Sequence, residues 1–349
     1  MTELENSVFT NRFKCLDAFK GIFILVIVFF HAGAAFNYAF DELEVLYTYG
    51  GTIGNIFFFM VSGFLISYVY KKKIRDDLYT LPHFLGRRLN KLYPTYIASM
   101  IIPICINGLP NLKVLTLNFL LMMTGWVEDY TAINSPCWFL SQLLLCYIIH
   151  FILIKVIKEE YYIYSLVLMV VWGAILLKMN LQVPFCYMHD GEGFRNYFMG
   201  CLVWELYSKC NEKNVNYKYI GYIGIGLWIG VFVGSSIFGL QKIAGDIDFV
   251  FGFLLIPSLF LVVLDWTWGK KILELHVLQR LGGLSIYIFF WHVPVMQVLL
   301  LYFGKINVIY SDKIKLGVYI VLLIVWCLCY QWILKRLDKV SLVRRWVRL

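Results

Sequence analysis

Apolar runs long enough to cross a membrane recur from one end of this 349-residue chain to the other. The chain is 60% hydrophobic and 15% charged, whereas an average globular domain is about a quarter charged. A helix needs roughly 20 consecutive apolar residues to span the hydrocarbon core of a bilayer. The sequence therefore predicts an all-α, polytopic membrane helical bundle and excludes an ordinary water-soluble domain.

We predict about ten transmembrane helices in a single domain over residues 1–349, with no appended soluble domain. The predicted spans are 16–36, 52–70, 93–108, 138–157, 161–178, 194–209, 218–238, 247–265, 283–303 and 315–335. The apolar piece 112–126 is short and follows a Gly-Leu-Pro turn, so it fits an interfacial or re-entrant segment better than an eleventh span. A basic helix lying at the interface is expected to precede the short third span.

The Lys and Arg residues set the expected orientation. With ten spans, most of them fall in loops on one side of the membrane, including those at 71–73, 87–91 and 335–336. The positive-inside rule then places both termini in the cytoplasm. The net charge of +9 is thereby explained by topology and calls for no nucleic-acid partner.

Two features of the sequence allow a second interpretation. Residues 32–34 follow an apolar run and resemble a signal-peptidase site, but the run has the length of a full span, so we favour a retained helix. The nine cysteines lack metal-ligand spacing and predict free thiols without a metal site. Cys137 and Cys186 could both face outward, which leaves a disulfide open.

The first predicted span carries three ionisable residues on one helical face. Lys20 and His31 are eleven residues apart, and eleven helical steps of about 100° make roughly three turns plus 20°. At about 1.5 Å per residue, His31 lies about 16 Å deeper than Lys20, and Asp17 falls on the same face. Because ionisable groups at membrane depth usually face a polar site, this stripe predicts a path from the membrane edge to a titratable group within.

The second span and the loop after it add further candidates. Ser62 precedes Gly63, a pair of small residues that permits either close helix packing or a ligand contact. No G-x-S-x-G or S-x-x-K motif supports a serine nucleophile. Arg87, Arg88 and Lys91 are spaced three and four apart and are expected on one helical face. They could touch anionic lipid or clamp the phosphates of a cytoplasmic cofactor.

The fourth and ninth spans contribute aromatic and histidine candidates. Trp138 begins the fourth span and suits either a membrane-interface belt or a site. His292 lies at mid-membrane depth in the ninth span, where Pro294 frees backbone carbonyls. His150 lacks such surroundings, and we expect it to bond only to a neighbouring carbonyl.

Together these segments resemble the membrane acyltransferase-3 family. The motifs stand in that family's order and cover nearly the whole chain: LDAFKG (16–21) through His31, FFMVSGF (58–64), RRLNKLYP (87–94), WFL (138–140), and SIY (285–287) with WHVP (291–294). Each motif is weak alone, but five in order within ten spans are specific. The candidates for lining the substrate site are accordingly Ser62, Trp138, Tyr287 and His292.

The resemblance implies a reaction and a set of site residues. Members transfer acyl groups, most often acetyl from cytoplasmic acetyl-CoA, to sugars of surface polysaccharides or related glycans in a bacterial inner membrane. The family's activity-linked residues match Lys20, His31, Arg88 and Lys91. We expect catalysis by His31 as general base, supported by Lys20 and Asp17. Acetyl-CoA binding is assigned to Arg87, Arg88, Lys91 and Lys20, and no metal is expected. Direct transfer and an acetyl-histidine intermediate both remain open.

Two positions depart from the family pattern. Lys91 replaces the arginine that usually closes the basic pair, which removes bidentate phosphate binding there. Gln142 occupies a place where one large branch has a glutamate. This favours relatives that resemble capsule, exopolysaccharide or fucose O-acetylases.

Other functions also fit parts of the sequence. A transporter or flippase for a polysaccharide intermediate is an alternative, because carriers are also polytopic bundles with buried polar residues. An inactive scaffold or sensor, and transfer of succinyl or a longer acyl group, stay open too. The expected partners are a glycan or lipid-linked sugar acceptor and the lipid bilayer, with polysaccharide-assembly proteins or a second copy of the chain as further candidates. Aromatic and charged residues of the outward loops could contact the acceptor or merely reflect loop polarity: Trp126, Tyr130, His189, Asp190 and Arg195.

Overall fold

The computed structural model describes residues 13–127, 130–179, 181–237, 250–264, 273–305 and 310–337. Within these ranges the chain forms helices and turns and no strand. The helices are α1 (Lys14–Ala35), α2 (Glu44–Arg75), α3 (Leu81–Leu89), α4 (Tyr93–Asn107), α5 (Leu112–Phe119), α6 (Trp138–Val156), α7 (Glu159–Met179), α8 (Met188–Glu212), α9 (Lys218–Ile237), α10 (Ile256–Val263), α11 (His276–Lys305) and α12 (Asp312–Leu337). Short 3₁₀ turns at Asp41–Leu43 and Ser135–Cys137 lead into α2 and α6, and a π-helical turn at Phe251–Leu255 leads into α10.

Six of the described helices are long and apolar enough to cross a membrane: α1, α2, α6, α7, α11 and α12. The α3–α4 pair, bent by 54°, is a seventh candidate. The remaining predicted spans fall on α8, α9 and the shorter apolar helix 251–263, although 238, 247–249 and 265 lie outside the described residues. An all-α bundle of membrane helices is thus confirmed for the described chain, with six or seven apolar spans.

The α3–α4 break corrects the expected arrangement of the basic cluster. The predicted basic helix is present as α3, but it ends at Leu89, and Lys91 lies in the turn that follows. Pro94 explains the break, because its nitrogen cannot donate to the carbonyl of Asn90 and its ring crowds that carbonyl. Arg88 and Lys91 therefore do not share one continuous helical face.

The apolar piece after Pro110 forms the short α5 and then irregular chain buried against α6. The carbonyl of Thr124 accepts hydrogen bonds from Ser141 Oγ at 2.8 Å and from Gln142 Nε2 at 3.0 Å. Gly125 follows with φ +83°, a conformation that favours glycine. Non-helical backbone at membrane depth is tolerated where protein satisfies its polar groups. This geometry therefore agrees with the prediction that 112–126 is an interfacial or re-entrant segment.

Glycines bring the central helices into close contact. A Cβ atom added to Gly63 of α2 would lie 2.0 Å from the carbonyl oxygen of Tyr197 in α8. One added to Gly282 of α11 would lie 1.9 Å from the carbonyl oxygen of Asp17 in α1. Backbone-to-backbone approach of this kind needs small residues at helix crossings. The packing interpretation of Gly63 is thereby confirmed.

Charged and polar contacts define the two ends of the bundle. At one end, Lys71 pairs with Glu159 at 2.7 Å and with Glu205 at 2.8 Å, which joins α2, α7 and α8. We call this the basic end, because Lys71 and its neighbours 72–75 lie there. At the opposite end, Asn37 Nδ2 donates to Asp312 at 3.1 Å and joins α1 to α12.

The structure describes the first helix and the cysteines, the two features that allowed a second interpretation of the sequence. α1 is part of the core, where Ile24, Val28 and Ala32 are buried among residues of other helices. The nine cysteines are free, so Cys137 and Cys186 do not pair. No group of histidine, cysteine or carboxylate side chains in the described ranges has the geometry of a metal site.

Candidate active site

A cavity of about 500 Å³ lies between α1, α2, α3, α6, α11 and the turn that joins α3 to α4. Four basic residues reach its lining: Lys20, Arg87, Arg88 and Lys91. The rest of the wall is mainly apolar and aromatic, with Phe58, Phe139, Tyr147, Tyr287 and Phe289 among its residues. A volume of roughly 300–1,000 Å³ with a few convergent polar groups is typical of a small-molecule site.

Lys20 faces this cavity, as the stripe on α1 predicts. Its Nζ donates a hydrogen bond to Asp17 Oδ1 at 3.0 Å, and Lys20 is the less exposed of the two. Asp17 does not line the cavity. The carboxylate therefore holds the lysine from outside, which is the orienting contact expected from the sequence.

The three basic residues of the α3–α4 region reach the cavity by different routes. The guanidinium of Arg88 lies 4.3 Å from the ring centroid of Tyr70, and its Nε has no hydrogen-bond partner among the described residues. Arg87 donates to the hydroxyl of Tyr79 at 2.7 Å. Lys91 is exposed in the turn. The bend between the helices thus lets residues on different elements converge on one volume.

Ser62 lines the cavity without the surroundings of a nucleophile. Its Oγ donates to the carbonyl of Phe58, four residues earlier in the same helix, at 2.8 Å. Ser and Thr hydroxyls often make this bond within a helix. Ser62 and Gly63 therefore have separate roles, since one faces the cavity and the other forms the contact with α8.

His31 and His292 meet beyond the inner end of the cavity. Their ring centroids are 5.0 Å apart, with 51° between the planes. Neither residue lines the cavity, but Phe289 does, and its ring lies 6.3 Å from that of His292. Lys20 and His31 thus both face α11, and Phe289 joins the cavity wall to His292.

Trp138 and the residues predicted in outward loops do not line the cavity. The ring of Trp138 is 4.6 Å from that of His189 and 6.2 Å from that of Phe59. Asp190 and Arg195, predicted in an outward loop, are instead buried in the first turns of α8. That prediction was wrong because α8 already begins at Met188. The charged residues of the segment are typical of a loop, but here they lie within the helix.

Two residues show what sequence reasoning missed. Tyr147 lines the cavity, but its position inside an apolar helix gives no sign of this. The expectation that His150 bonds to a neighbouring carbonyl was wrong. Its Nδ1 and Nε2 instead contact the hydroxyls of Tyr197 at 2.9 Å and Tyr162 at 2.7 Å. These tyrosines come from α8 and α7, so only tertiary packing identifies them as partners.

The chain matches the acyltransferase domain family over residues 13–336. It is also similar to proteins of Staphylococcus aureus strains COL, MSSA476 and MRSA252 to which an O-acetyltransferase activity is ascribed, at 24% identity over 345 residues. The alignment covers 87% of this chain and 54% of each relative, so the chain spans about half the length of these proteins. No solved structure matches.

The family match includes every residue of the cavity and both histidines beyond it. Together with the apolar helices of the bundle, it decides the class of this protein. The chain therefore belongs to the acyltransferase domain family and is a multi-pass membrane protein.

Proposed function

We propose that this chain is an O-acetyltransferase of the bacterial inner membrane. It moves an acetyl group from cytoplasmic acetyl-CoA to a hydroxyl of a cell-surface polysaccharide or of its lipid-linked precursor. The observation that carries the proposal is the cavity that gathers Lys20, Arg87, Arg88 and Lys91, and whose wall residue Phe289 contacts His292, the neighbour of His31. The ascribed activity of the relatives supports the same reaction class.

The charge of the cavity suits the phosphates of coenzyme A. Four cationic side chains reach the lining, and the nearby carboxylate of Asp17 is already paired with Lys20. Arg88 can offer its guanidinium N–H groups to a phosphate, and such charge-assisted bonds are among the stronger ones in proteins. The apolar wall beyond them suits the pantetheine arm.

The transfer requires one proton to move while one bond forms and one breaks. The sugar hydroxyl oxygen attacks the thioester carbonyl carbon, and His31 takes the hydroxyl proton. The C–S bond then breaks, and the proton passes from His31 to the departing sulfur, so the products are the acetyl ester and coenzyme A. An acetyl-histidine intermediate is the alternative route.

The fold supports a cytoplasmic location for the mouth of this cavity. The basic end of the bundle, with Lys71 and Arg75, is the end that the positive-inside rule assigns to the cytoplasm. We propose ten crossings with both termini on that side, so that Lys20 lies close to the cytoplasmic donor and His31 deeper in the bundle. In this topology the acceptor reaches His31 from within the membrane or from the opposite side.

Gln142 supports the branch of the family to which we assign the chain. Its side chain is buried, and its Nε2 donates to the carbonyl of Thr124. A glutamate carboxylate at this position could not donate that bond. We therefore place the chain with relatives that resemble capsule, exopolysaccharide or fucose O-acetylases.

Replacing Arg88 with alanine should weaken acetyl-CoA binding by about 10- to 100-fold, the usual effect of losing charge-assisted hydrogen bonds. The measurement is calorimetric titration of the detergent-purified protein with acetyl-CoA. Lys91→Arg should bind as tightly as the wild type or more tightly, because it restores a bidentate phosphate contact.

Lys155→Ala is the matched control for that titration. Lys155 also lies at the basic end, where it contacts Asp77, but it does not line the cavity. Its removal should leave the dissociation constant unchanged. Equal weakening by Arg88→Ala and Lys155→Ala would indicate a general charge effect and contradict a phosphate site at Arg88. Absence of acetyl-CoA binding to the wild type would favour the transporter interpretation.

A further inference from the structure

The His292 ring is held in one tautomer by its own helix. Its Nδ1 lies 2.8 Å from the carbonyl oxygen of Phe289 and 3.1 Å from that of Ile288. Carbonyl oxygens only accept hydrogen bonds, so Nδ1 carries the proton and Nε2 carries the lone pair. His292 therefore has a fixed donor and a fixed acceptor.

The fixed acceptor of His292 has no partner within the described part of the chain. The side chain is fully buried, and its Nε2 makes no hydrogen bond there. Buried polar atoms without a partner are rare, because leaving one unpaired costs about 1–3 kcal/mol. An unpaired acceptor in the core is therefore open to a hydrogen bond from a neighbouring donor.

The surrounding structure holds His292 firmly in place. Pro294 removes the N–H that would bond to the carbonyl of Phe290, and Asn134 Nδ2 donates to that carbonyl instead, at 2.9 Å. The hydroxyl of Tyr319 donates to the carbonyl of His292 at 3.0 Å. Polar groups from outside α11 thus stabilise the turn that carries the ring.

His31 is the imidazole placed to use that acceptor. The two ring centroids are 5.0 Å apart, but His31 does not bond to His292 Nε2 in this structure. An N–H···N hydrogen bond of about 2.9 Å places two imidazole centroids roughly 5 Å apart, so a rotation of the His31 ring is enough to bring an N–H to this acceptor. A neutral histidine that acts as a base uses the lone pair of one nitrogen and must place the N–H of the other. A fixed acceptor at this distance would determine which His31 nitrogen carries the proton and which keeps the lone pair.

We propose that His292 is a positioning residue for His31. Its Nε2 accepts the N–H of His31, and this fixes the tautomer and ring orientation in which the other His31 nitrogen faces the acceptor hydroxyl. This inference rests on the proposed function, because it assigns His31 the role of base. It goes beyond that function because it assigns the buried Nε2 of His292 a partner, the N–H of His31.

Two substitutions separate this role from a merely structural one. His292→Asn keeps an N–H near the position of Nδ1, where it can still bond to the carbonyls of Phe289 and Ile288, but it removes the acceptor. His292→Gln places an amide oxygen near the position of Nε2 and loses the carbonyl bond. We expect kcat to fall by about 10- to 100-fold in the asparagine variant, the effect of one buried hydrogen bond. The glutamine variant should keep most of the activity, and KM for acetyl-CoA should change in neither.

A larger loss of kcat in the glutamine variant than in the asparagine variant would overturn the proposal. Full activity in the asparagine variant, or equal losses in both folded variants, would mean that His292 acts through helix packing alone. Nitrogen-15 NMR of histidine-labelled protein gives a readout that does not depend on turnover. The His31 N–H signal should show a hydrogen-bonded shift in the wild type and lose it in the asparagine variant. An unchanged His31 signal would refute the pairing, whereas a wild type that shows this signal without acetyl transfer would count against the proposed function.

Discussion

Replacing His31 with alanine should lower kcat for acetyl transfer by about 10²–10⁴-fold, the usual contribution of a positioned general base. The fold should survive, because His31 is only half-buried. Binding of acetyl-CoA should stay close to that of the wild type, since the basic residues of the cavity are intact. The measurement is release of coenzyme A from acetyl-CoA with an extracted glycan acceptor, alongside calorimetric binding.

His276→Ala is the matched control for this experiment. His276 is an exposed histidine at the first residue of α11 and does not line the cavity. Its replacement should leave kcat and KM unchanged. If His31→Ala turned over at the wild-type rate, the base would have to be another group, and His292 would be examined next.

Replacing Gly63 with alanine should destabilise the protein by about 3 kcal/mol, the upper end of the usual cost of overpacking. The new Cβ would lie 2.0 Å from the carbonyl oxygen of Tyr197 and 3.2 Å from the amide nitrogen of Cys201. Both are backbone atoms of α8, so no side chain can rotate away, and α2 and α8 must separate. Ser62, the neighbour of Gly63, would then shift from its place in the cavity wall, so activity should fall as well.

The stability effect can be measured as the temperature at which half of the detergent-solubilised protein remains monodisperse on size-exclusion chromatography. Gly317→Ala is the control, because nothing lies within 4 Å of a Cβ added at this position in α12. Alanine is the better helix former by about 1 kcal/mol, so this variant should match or exceed the wild type. Equal thermal stability of the Gly63 and Gly317 variants would contradict the close crossing of α2 and α8.

Local patterns along the chain predicted the helices and part of the site. The apolar runs identified the membrane helices, and the spacing of Lys20 and His31 correctly placed both side chains toward one neighbouring helix. Helical periodicity makes such a prediction reliable, because it depends only on residues within one element. The ion pair of Asp17 with Lys20 is likewise a contact three residues apart.

The sequence does not predict features that depend on packing between helices. The apolar segment around Tyr147 does not show that this tyrosine faces the cavity, and the tyrosine partners of His150 come from distant helices. The early start of α8 was missed because buried charged residues resemble those of a loop in hydropathy. The end of α3 at Leu89 could have been anticipated from Pro94, whose effect reaches back four residues.

The proposed reaction uses acetyl-CoA in the cavity lined by Lys20, Arg88 and Lys91. The most direct test follows radiolabelled acetyl from acetyl-CoA into extracted cell-surface glycan with the purified wild-type protein in vesicles, alongside the Arg88→Ala variant. We expect protein-dependent labelling of the glycan, with a raised KM for acetyl-CoA in the variant. Wild-type protein that is folded but neither binds acetyl-CoA nor labels any glycan would contradict it.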